Sequence, residues 1–171
     1  MKRFLLFFSA VILPLSCRTY YIPAGITMNT LHVGDHIFST ISLSYAPRRG
    51  DLLIFRPPNE EDKDYIKRCI AIPGDRVEIR EDAVFLNGKR LEEPYALGPT
   101  RYILFSGDTR RLDGVVPAGK LVLLGDNREN SLDSRYFGYV DIKCVKGRAF
   151  FLYWNSDDFR KGRCSRWGVI K

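Results

Sequence analysis

The feature that most constrains the fold is a polar stretch, residues 125–135, that interrupts an otherwise apolar part of the sequence. The apolar run Leu121–Leu124 precedes it and predicts a buried strand, and the aromatic run Tyr136–Val140 follows it. Composition alone favours a solvated surface loop. The apolar flanks and the interleaved opposite charges instead favour a segment held against a core, in which charged groups pair. The charged residues of the stretch are Asp126, Arg128, Glu129, Asp133 and Arg135.

Most of the chain has the pattern of short β-strands joined by turns. Runs rich in β-branched and aromatic residues predict strands at 36–45, 52–55, 65–72, 77–80, 84–91, 121–124 and 147–154. The pair Asn87-Gly88 predicts a hairpin turn, and residues 92–114 predict a loop-rich excursion. A chain of 171 residues with this pattern predicts a single, mainly β domain of antiparallel sheets.

The first nineteen residues predict a separate membrane segment, residues 1–19. Lys2 and Arg3 precede about a dozen apolar residues, as in a signal peptide, although the run is short for a membrane span. Cleavage as a signal peptide stays open. Lipid attachment at Cys17 also stays open, but Pro14 stands where lipoprotein processing usually has leucine. We favour a short, uncleaved membrane helix that keeps the N-terminus in the cytoplasm and exports residues 20–171.

The net charge of +7 suits either nucleic acid or anionic lipid as a partner. The sequence contains no helix-turn-helix, zinc-finger or RNA-binding signature, so we expect membrane lipid and no nucleic acid. It contains no Cys-x-x-Cys pair, and both histidines, His32 and His36, lie in one short segment, so no metal site is expected. Whether Cys144 and Cys164 pair stays open.

Three blocks of the sequence resemble motifs of bacterial type I signal peptidases, also called leader peptidases, and they follow one another along the chain in the same order as in that family. Residues 125–135 match Gly-Asp-Asn-x-x-x-Ser-x-Asp-Ser-Arg, and residues 65–75 match Tyr-Ile-Lys-Arg-x-x-x-x-Pro-Gly-Asp. Residues 22–35 are similar to Ile-Pro-Ser-Gly-Ser-Met-x-Pro-Thr-Leu-x-x-Gly-Asp. The resemblance, over about residues 18–170, implies coiled antiparallel sheets of the signal-peptidase and LexA-like β fold, with a reduced second lobe.

The resemblance also implies an activity and a location. The family consists of membrane serine endopeptidases with a Ser/Lys dyad and no cofactor. They cleave the signal peptides of exported proteins at the outer face of the plasma membrane. The implied partners of this chain are therefore signal peptides and membrane lipid.

Lys67 is the central residue of the implied site. A lysine in an apolar strand usually extends its amine to solvent, but the resemblance implies that Lys67 is the general base. An exposed lysine is charged at neutral pH, whereas burial among apolar groups lowers its pKa and lets it deprotonate a serine hydroxyl. The implied supporting residues are Ser131, which orients Lys67, Arg68, which pairs with Asp126, and Asp133 and Arg135.

The first block departs from the family pattern at the nucleophile. Aligned without gaps, Ile26 occupies the position of the catalytic serine, and Ala24 occupies that of the serine whose hydroxyl helps to hold the oxyanion. Ile26 has no nucleophilic atom. A one-residue shift brings Thr27 to this position, and threonine can act as a nucleophile, but the shift needs an insertion and a deletion within six residues.

Two functions therefore remain open. One is an active signal peptidase with an unusual nucleophile. The other is a non-catalytic relative that binds signal peptides or assists an active enzyme. A soluble self-cleaving repressor is disfavoured by the N-terminal apolar segment and by the absence of a DNA-binding region in the sequence.

Overall fold

The computed structural model describes residues 17–23, 30–41, 45–57, 60, 63–102, 112–163 and 166–170. Within these residues the strands are β1 (Cys17–Tyr21), β2 (Asp35–Thr40), β3 (Leu52–Phe55), β4 (Tyr65–Ala71), β5 (Arg76–Arg80), β6 (Ala83–Leu86), β7 (Lys89–Arg90), β8 (Gly114–Val115), β9 (Lys120–Leu124), β10 (Val140–Asp141), β11 (Val145–Asn155) and β12 (Gly168–Val169). The α-helices are α1 (Ser134–Phe137) and α2 (Ser156–Arg160), and 3₁₀ turns lie at Arg128–Asn130 and Ile142–Cys144.

Two antiparallel sheets build the described part of the fold, as the sequence predicted. The larger has the order β1-β2-β11-β3-β4-β9-β10, with β12 added to β11, and the smaller has the order β7-β6-β5-β8. The long strand β11 pairs with β2 over residues 149–155 and with β3 over residues 145–148, with breaks in register. Gly147 allows this close packing, because a Cβ there would lie 1.8 Å from the Thr40 carbonyl oxygen.

Two tight turns join the strands of the smaller sheet. Asn87 and Gly88, between β6 and β7, have φ values of 53° and 79°. Positive φ at both central positions is typical of a type I′ hairpin turn, so the turn predicted from Asn-Gly is confirmed. Glu81 and Asp82, between β5 and β6, also have positive φ values of 51° and 58°. That second turn lacks glycine, and the sequence pattern did not predict it.

Strand β4 contributes side chains to three clusters of buried residues that form the core. Ile66 belongs to the cluster shared with β2, β3 and β11. Ile70 belongs to the cluster shared with the smaller sheet, and Cys69 to the cluster shared with β9 and β10. Because β4 is surrounded by core in this way, a polar side chain near its middle is removed from water whichever face it occupies.

The N-terminal boundary differs from the prediction. Strand β1 begins at Cys17, so Cys17–Thr19 belong to the sheet and not to a membrane segment. The rest of the predicted membrane segment, residues 1–16, lies outside the described residues. Within the described part of the chain, the helices are too short or too polar to cross a membrane. Cys144 has no disulfide partner among the described residues, and because Cys164 lies outside them, whether the two cysteines pair stays open.

Candidate active site

Lys67 lies in the middle of β4, opposite Leu53 of β3. The residue is only 1% exposed. Its Nζ atom lies 2.8 Å from Ser131 Oγ and 5.7 Å from the centre of the Tyr65 ring. The structure thus brings together Lys67 and Ser131, the two residues that the sequence led us to expect in contact.

Burial lowers the pKa of Lys67 from 10.5 to about 8. Desolvation is the largest cause, because the protonated amine loses its hydration in the core. Charges from the polar stretch have smaller effects: Asp133 and Asp126 raise the pKa, and Arg135 lowers it. Lys67 therefore reaches the neutral, proton-accepting form far more readily than a lysine in water.

The lowered pKa of Lys67 predicts that the free energy of unfolding depends on pH in the alkaline range. Below about pH 8 the amine is protonated in both the folded and the unfolded chain, and the folded state bears the full desolvation cost. Between pH 8 and 10.5 the unfolded chain binds a proton that the folded chain has released, so stability rises with pH. We expect a gain of about 3 kcal/mol over this window.

Urea unfolding of the parent and of Lys67→Met at a series of pH values measures this contribution. The difference between the two free energies of unfolding isolates Lys67 from groups that titrate in both proteins. We expect Lys67→Met to lose its advantage as the pH rises above about 8. Parallel curves from neutral pH to pH 10.5 would show that the folded-state pKa of Lys67 is not lowered.

Gly125 lets the backbone of the polar stretch approach this pair closely. A Cβ at this position would lie 2.1 Å from Ser131 Oγ and 3.3 Å from Lys67 Nζ. The Gly125 N–H donates to Asp133 Oδ2 over 3.0 Å, which fixes the peptide group in place. A glycine is therefore required here so that Ser131 can reach Lys67.

Arg68 and Asp126 form a buried, bidentate ion pair next to the Lys67–Ser131 contact. Arg68 Nε and Nη2 donate to the carboxylate over 2.9 and 2.7 Å, and the two side chains are 2% and 0% exposed. Thr30 joins the pair, because its hydroxyl accepts from Arg68 Nη2 and donates to Asp126 Oδ2. The network therefore fixes Thr30, which directly follows the predicted nucleophile block in the sequence.

Asp133 and Arg135 hold the end of the polar stretch. Arg135 Nε donates to Asp133 Oδ1 over 2.9 Å, and Arg135 Nη2 donates to Asp133 Oδ2 over 2.8 Å. Asp133 also caps α1 by accepting from the Arg135 backbone N–H. Most of the stretch is therefore buried, although Glu129, Asn130 and Leu132 are exposed, and the interpretation as a solvated loop is wrong. Asp133 and Arg135 pair within the stretch, whereas Asp126 and Arg128 pair with Arg68 and Glu93 elsewhere in the chain.

Three of the predicted site residues, Ala24, Ile26 and Thr27, lie outside the described residues. Which of these positions faces Lys67 therefore stays a prediction from the sequence. Two further residues contact the site, Glu93 and Tyr95, and neither was predicted from the sequence. Both lie in the predicted loop-rich excursion, which has no strand or helix pattern. An isolated acidic side chain and an isolated aromatic side chain were the only features there that could have marked them as site residues.

An apolar groove of about 380 Å³ lies beside the site. Ile22 and Pro23, which follow β1, line it together with Tyr65 and Ile66 of β4 and Ile54 of β3. Strand β4 pairs with β3 from residue 65, whereas its pairing with β9 begins at residue 68. Among the described residues, the second edge of residues 65–67 thus has no partner strand.

Comparisons with known proteins agree with these motifs. The model of a family described as signal peptidase, peptidase S26, matches residues 2–154. A signal peptidase I from Bacillus caldolyticus is 37% identical over 82% of this chain and 81% of its own length. One from Bacillus licheniformis is 35% identical over 89% of this chain and 87% of its own length. A crystal structure of a signal peptidase I from Enterococcus faecalis V583 matches with 31% identity and a TM-score of 0.47, covering 61% of this chain and 97% of that one.

Proposed function

Because the chain belongs to the signal peptidase family, peptidase S26, we propose that it acts on the N-terminal signal peptides of exported proteins, with Lys67 as the general base. The observation that carries this proposal is the buried Lys67 amine, 2.8 Å from Ser131 Oγ. Ser131 fixes the direction of the amine, and burial lowers its pKa to about 8, so that a large fraction of the amine is neutral near pH 8. An uncharged, oriented amine can take a proton from a hydroxyl nucleophile, as a serine endopeptidase requires.

The groove beside Lys67 supports a peptide substrate in an extended conformation. Residues 65–67 offer backbone groups along the edge that faces away from β3. A peptide that adds to this edge forms backbone hydrogen bonds, and the groove accepts its small apolar side chains. Affinity then comes from the backbone and specificity from the size of the groove.

The nucleophile position decides how far the reaction proceeds. With Ile26 at the serine position, the chain lacks the oxygen that forms the covalent intermediate, so we expect cleavage by the parent to be strongly impaired. The second candidate function, signal-peptide binding without cleavage, is favoured by this same residue together with the open groove.

An aromatic surface, formed by Tyr21, His36, Trp154 and Phe159, supports a location at the membrane. The His36 ring lies 5.1 Å from Tyr21 and 4.8 Å from Trp154, which lies 5.9 Å from Phe159. Aromatic side chains favour the headgroup region, and nearby cations favour anionic lipid. The basic residues that follow Phe159 in the sequence are Arg160, Lys161, Arg163 and Arg166. We propose that this surface rests on the outer face of the plasma membrane, with the N-terminus in the cytoplasm.

A binding assay with the purified full chain tests the proposed substrate. A fluorescent signal peptide with an Ala-x-Ala site should bind the parent, and Tyr65→Ala should weaken binding about tenfold by removing part of the groove wall. Tyr153→Ala, which removes a half-buried tyrosine that stacks on Phe38 outside the groove, is the matched control and should bind like the parent.

The same samples, analysed for cleavage, separate the two candidate functions. Binding without cleavage supports a non-catalytic relative, and cleavage that disappears in Lys67→Met supports an active peptidase. If the parent neither binds nor cleaves the peptide, the proposed substrate class is wrong.

A further inference from the structure

A segment from the loop-rich excursion, residues 93–100, crosses the polar stretch, and we call it the strap. Its Leu97 forms a β-bridge with Asn127. The Leu97 N–H donates to the Asp126 carbonyl over 2.7 Å, and the Arg128 N–H donates to the Leu97 carbonyl over 2.9 Å. The strap backbone is therefore hydrogen-bonded to residues on both sides of Asn127, shortly before Ser131.

An ion pair between Glu93 and Arg128 ties the start of the strap to the site. The side chains are 8% and 0% exposed, and Arg128 Nη1 donates to Glu93 Oε2 over 2.9 Å while Nη2 donates to Oε1. Arg128 Nη1 also donates to Thr100 Oγ1 at the other end of the strap. Arg128 Nε donates to the Gly125 carbonyl over 3.0 Å. One buried guanidinium thus connects both ends of the strap to Gly125.

Gly125 is the point at which this connection reaches the base. Its backbone packs so closely that a Cβ would lie within 2.1 Å of Ser131 Oγ and 3.3 Å of Lys67 Nζ. A displacement of Gly125 therefore moves Ser131 or opens a gap beside the Lys67 amine. Water that enters such a gap hydrates the amine and favours its charged form.

We infer that Glu93 and Arg128 are positioning residues whose ion pair clamps Gly125 against Ser131 and so keeps water away from the Lys67 amine. The catalytic meaning of the clamp rests on the proposed function, but the clamp itself is a property of the fold. Tyr95 extends it, because its hydroxyl donates to Glu93 Oε1 over 3.1 Å and its ring lies 4.0 Å from the Arg68 guanidinium carbon.

The sign of the expected effect follows from the groups that act on Lys67. The charges that influence its pKa are Asp133, Asp126 and Arg135, and desolvation outweighs them. Desolvation is the largest cause, and Arg128 and Glu93 are not among the charges that act on Lys67, so we expect the removal of Glu93 to act on Lys67 mainly through hydration. Loosening the clamp should therefore raise the pKa of Lys67 toward that of an exposed lysine.

The test measures the pKa of Lys67 in the full chain by NMR with isotope-labelled lysine, the signal being assigned with Lys67→Met. We expect the pKa to rise by about one unit in Glu93→Gln. Glu78→Gln is the matched control, because it makes the same change in a half-exposed pair with Arg80, whose atoms are 3.4 Å apart. Its Lys67 should titrate as in the parent. An unchanged Lys67 pKa in folded Glu93→Gln would overturn the inference.

A second variant covers the case in which Glu93→Gln does not fold. Tyr95→Phe keeps the ring over Arg68 and removes only the hydroxyl that donates to Glu93, so a smaller rise in the Lys67 pKa is expected. The absence of any rise in Tyr95→Phe would then overturn the clamp. Failure of the proposed function has a different signature: the pKa shifts as expected, but the parent neither binds nor cleaves a signal peptide.

Discussion

Ile26→Ser is expected to create signal-peptide cleavage that depends on Lys67. The base is already buried and oriented by Ser131, and the serine supplies the oxygen that the family mechanism requires. Loss of a nucleophile from a complete site costs many orders of magnitude, so the reverse change should raise the rate on the order of a thousandfold or more. The measurement is cleavage of an Ala-x-Ala peptide by purified full-length parent and variant.

Three control measurements test whether the new cleavage depends on the introduced hydroxyl and on Lys67. Ile26→Val replaces one apolar side chain by another and should stay as slow as the parent. Combining Ile26→Ser with Lys67→Met should abolish the new activity, because no neutral amine is left to take the proton. The cleavage rate of Ile26→Ser should rise with pH through about 8, as Lys67 loses its proton. Cleavage that survives the loss of Lys67 would exclude it as the base.

Ala24→Ser in the Ile26→Ser background should raise the rate further. The family resemblance places at Ala24 a hydroxyl that helps to hold the oxyanion, and one missing donor costs roughly 3 kcal/mol in the transition state, or about a hundredfold. Ala24→Val, which changes the side chain without adding a donor, should bring no gain. A lack of improvement from Ala24→Ser would remove this position from the oxyanion site.

The competing alignment, with Thr27 as nucleophile, makes the opposite prediction about the parent. In that case the parent cleaves the peptide, and Thr27→Val, which keeps the shape but removes the hydroxyl, abolishes cleavage. Thr27→Ser would then retain activity. Robust parental activity with this pattern would show that the ungapped alignment of the first block is wrong.

Part of the site could be predicted because two blocks of the sequence resemble family motifs whose residues are known to meet. The blocks around Lys67 and Ser131 predicted two contacts that the structure shows, one from Lys67 to Ser131 and one from Arg68 to Asp126. The mainly β fold followed from short runs of β-branched residues between turns, and β11 (Val145–Asn155) extends the strand predicted at 147–154 by only a few residues.

Other parts of the site depend on contacts between residues far apart in the sequence, which no local sequence pattern predicts. Glu93 and Arg128 are 35 positions apart, and Glu93 lies in a segment without strand or helix periodicity. Composition favoured a solvated loop for residues 125–135, yet Asp126 and Asp133 are 0% exposed. Burial of such groups requires partners, and the partner of Asp126 comes from β4, which only the folded structure or a family motif can reveal.

Asp126→Asn is expected to destabilise the chain strongly. The substitution keeps the size of the side chain but leaves the Arg68 guanidinium, 2% exposed, without its counter-charge. Removal of one partner of a buried pair typically costs about 3–5 kcal/mol, because the other charge stays desolvated and unpaired. Thr30 also loses its carboxylate acceptor. Urea unfolding should show a lower midpoint at an unchanged slope, which reports lower stability without a change in the exposed surface.

The exposed pair of Asp82 and Arg101 provides a matched control for this loss. Arg101 donates to Asp82 from Nε and Nη2 over 2.7 and 2.6 Å, the same bidentate arrangement as in the buried pair, but the side chains are more than half exposed. Water replaces the lost partner there, so Asp82→Asn should leave the midpoint nearly unchanged.

Replacing both partners of the buried pair separates the free-energy cost of desolvating the two charges from the free energy gained by their attraction. Arg68→Met combined with Asp126→Leu removes both charges together, so it should be more stable than either single variant, because no charge remains buried without a partner. If Asp126→Asn and Asp82→Asn instead cost the same, burial does not set the strength of the Arg68 pair.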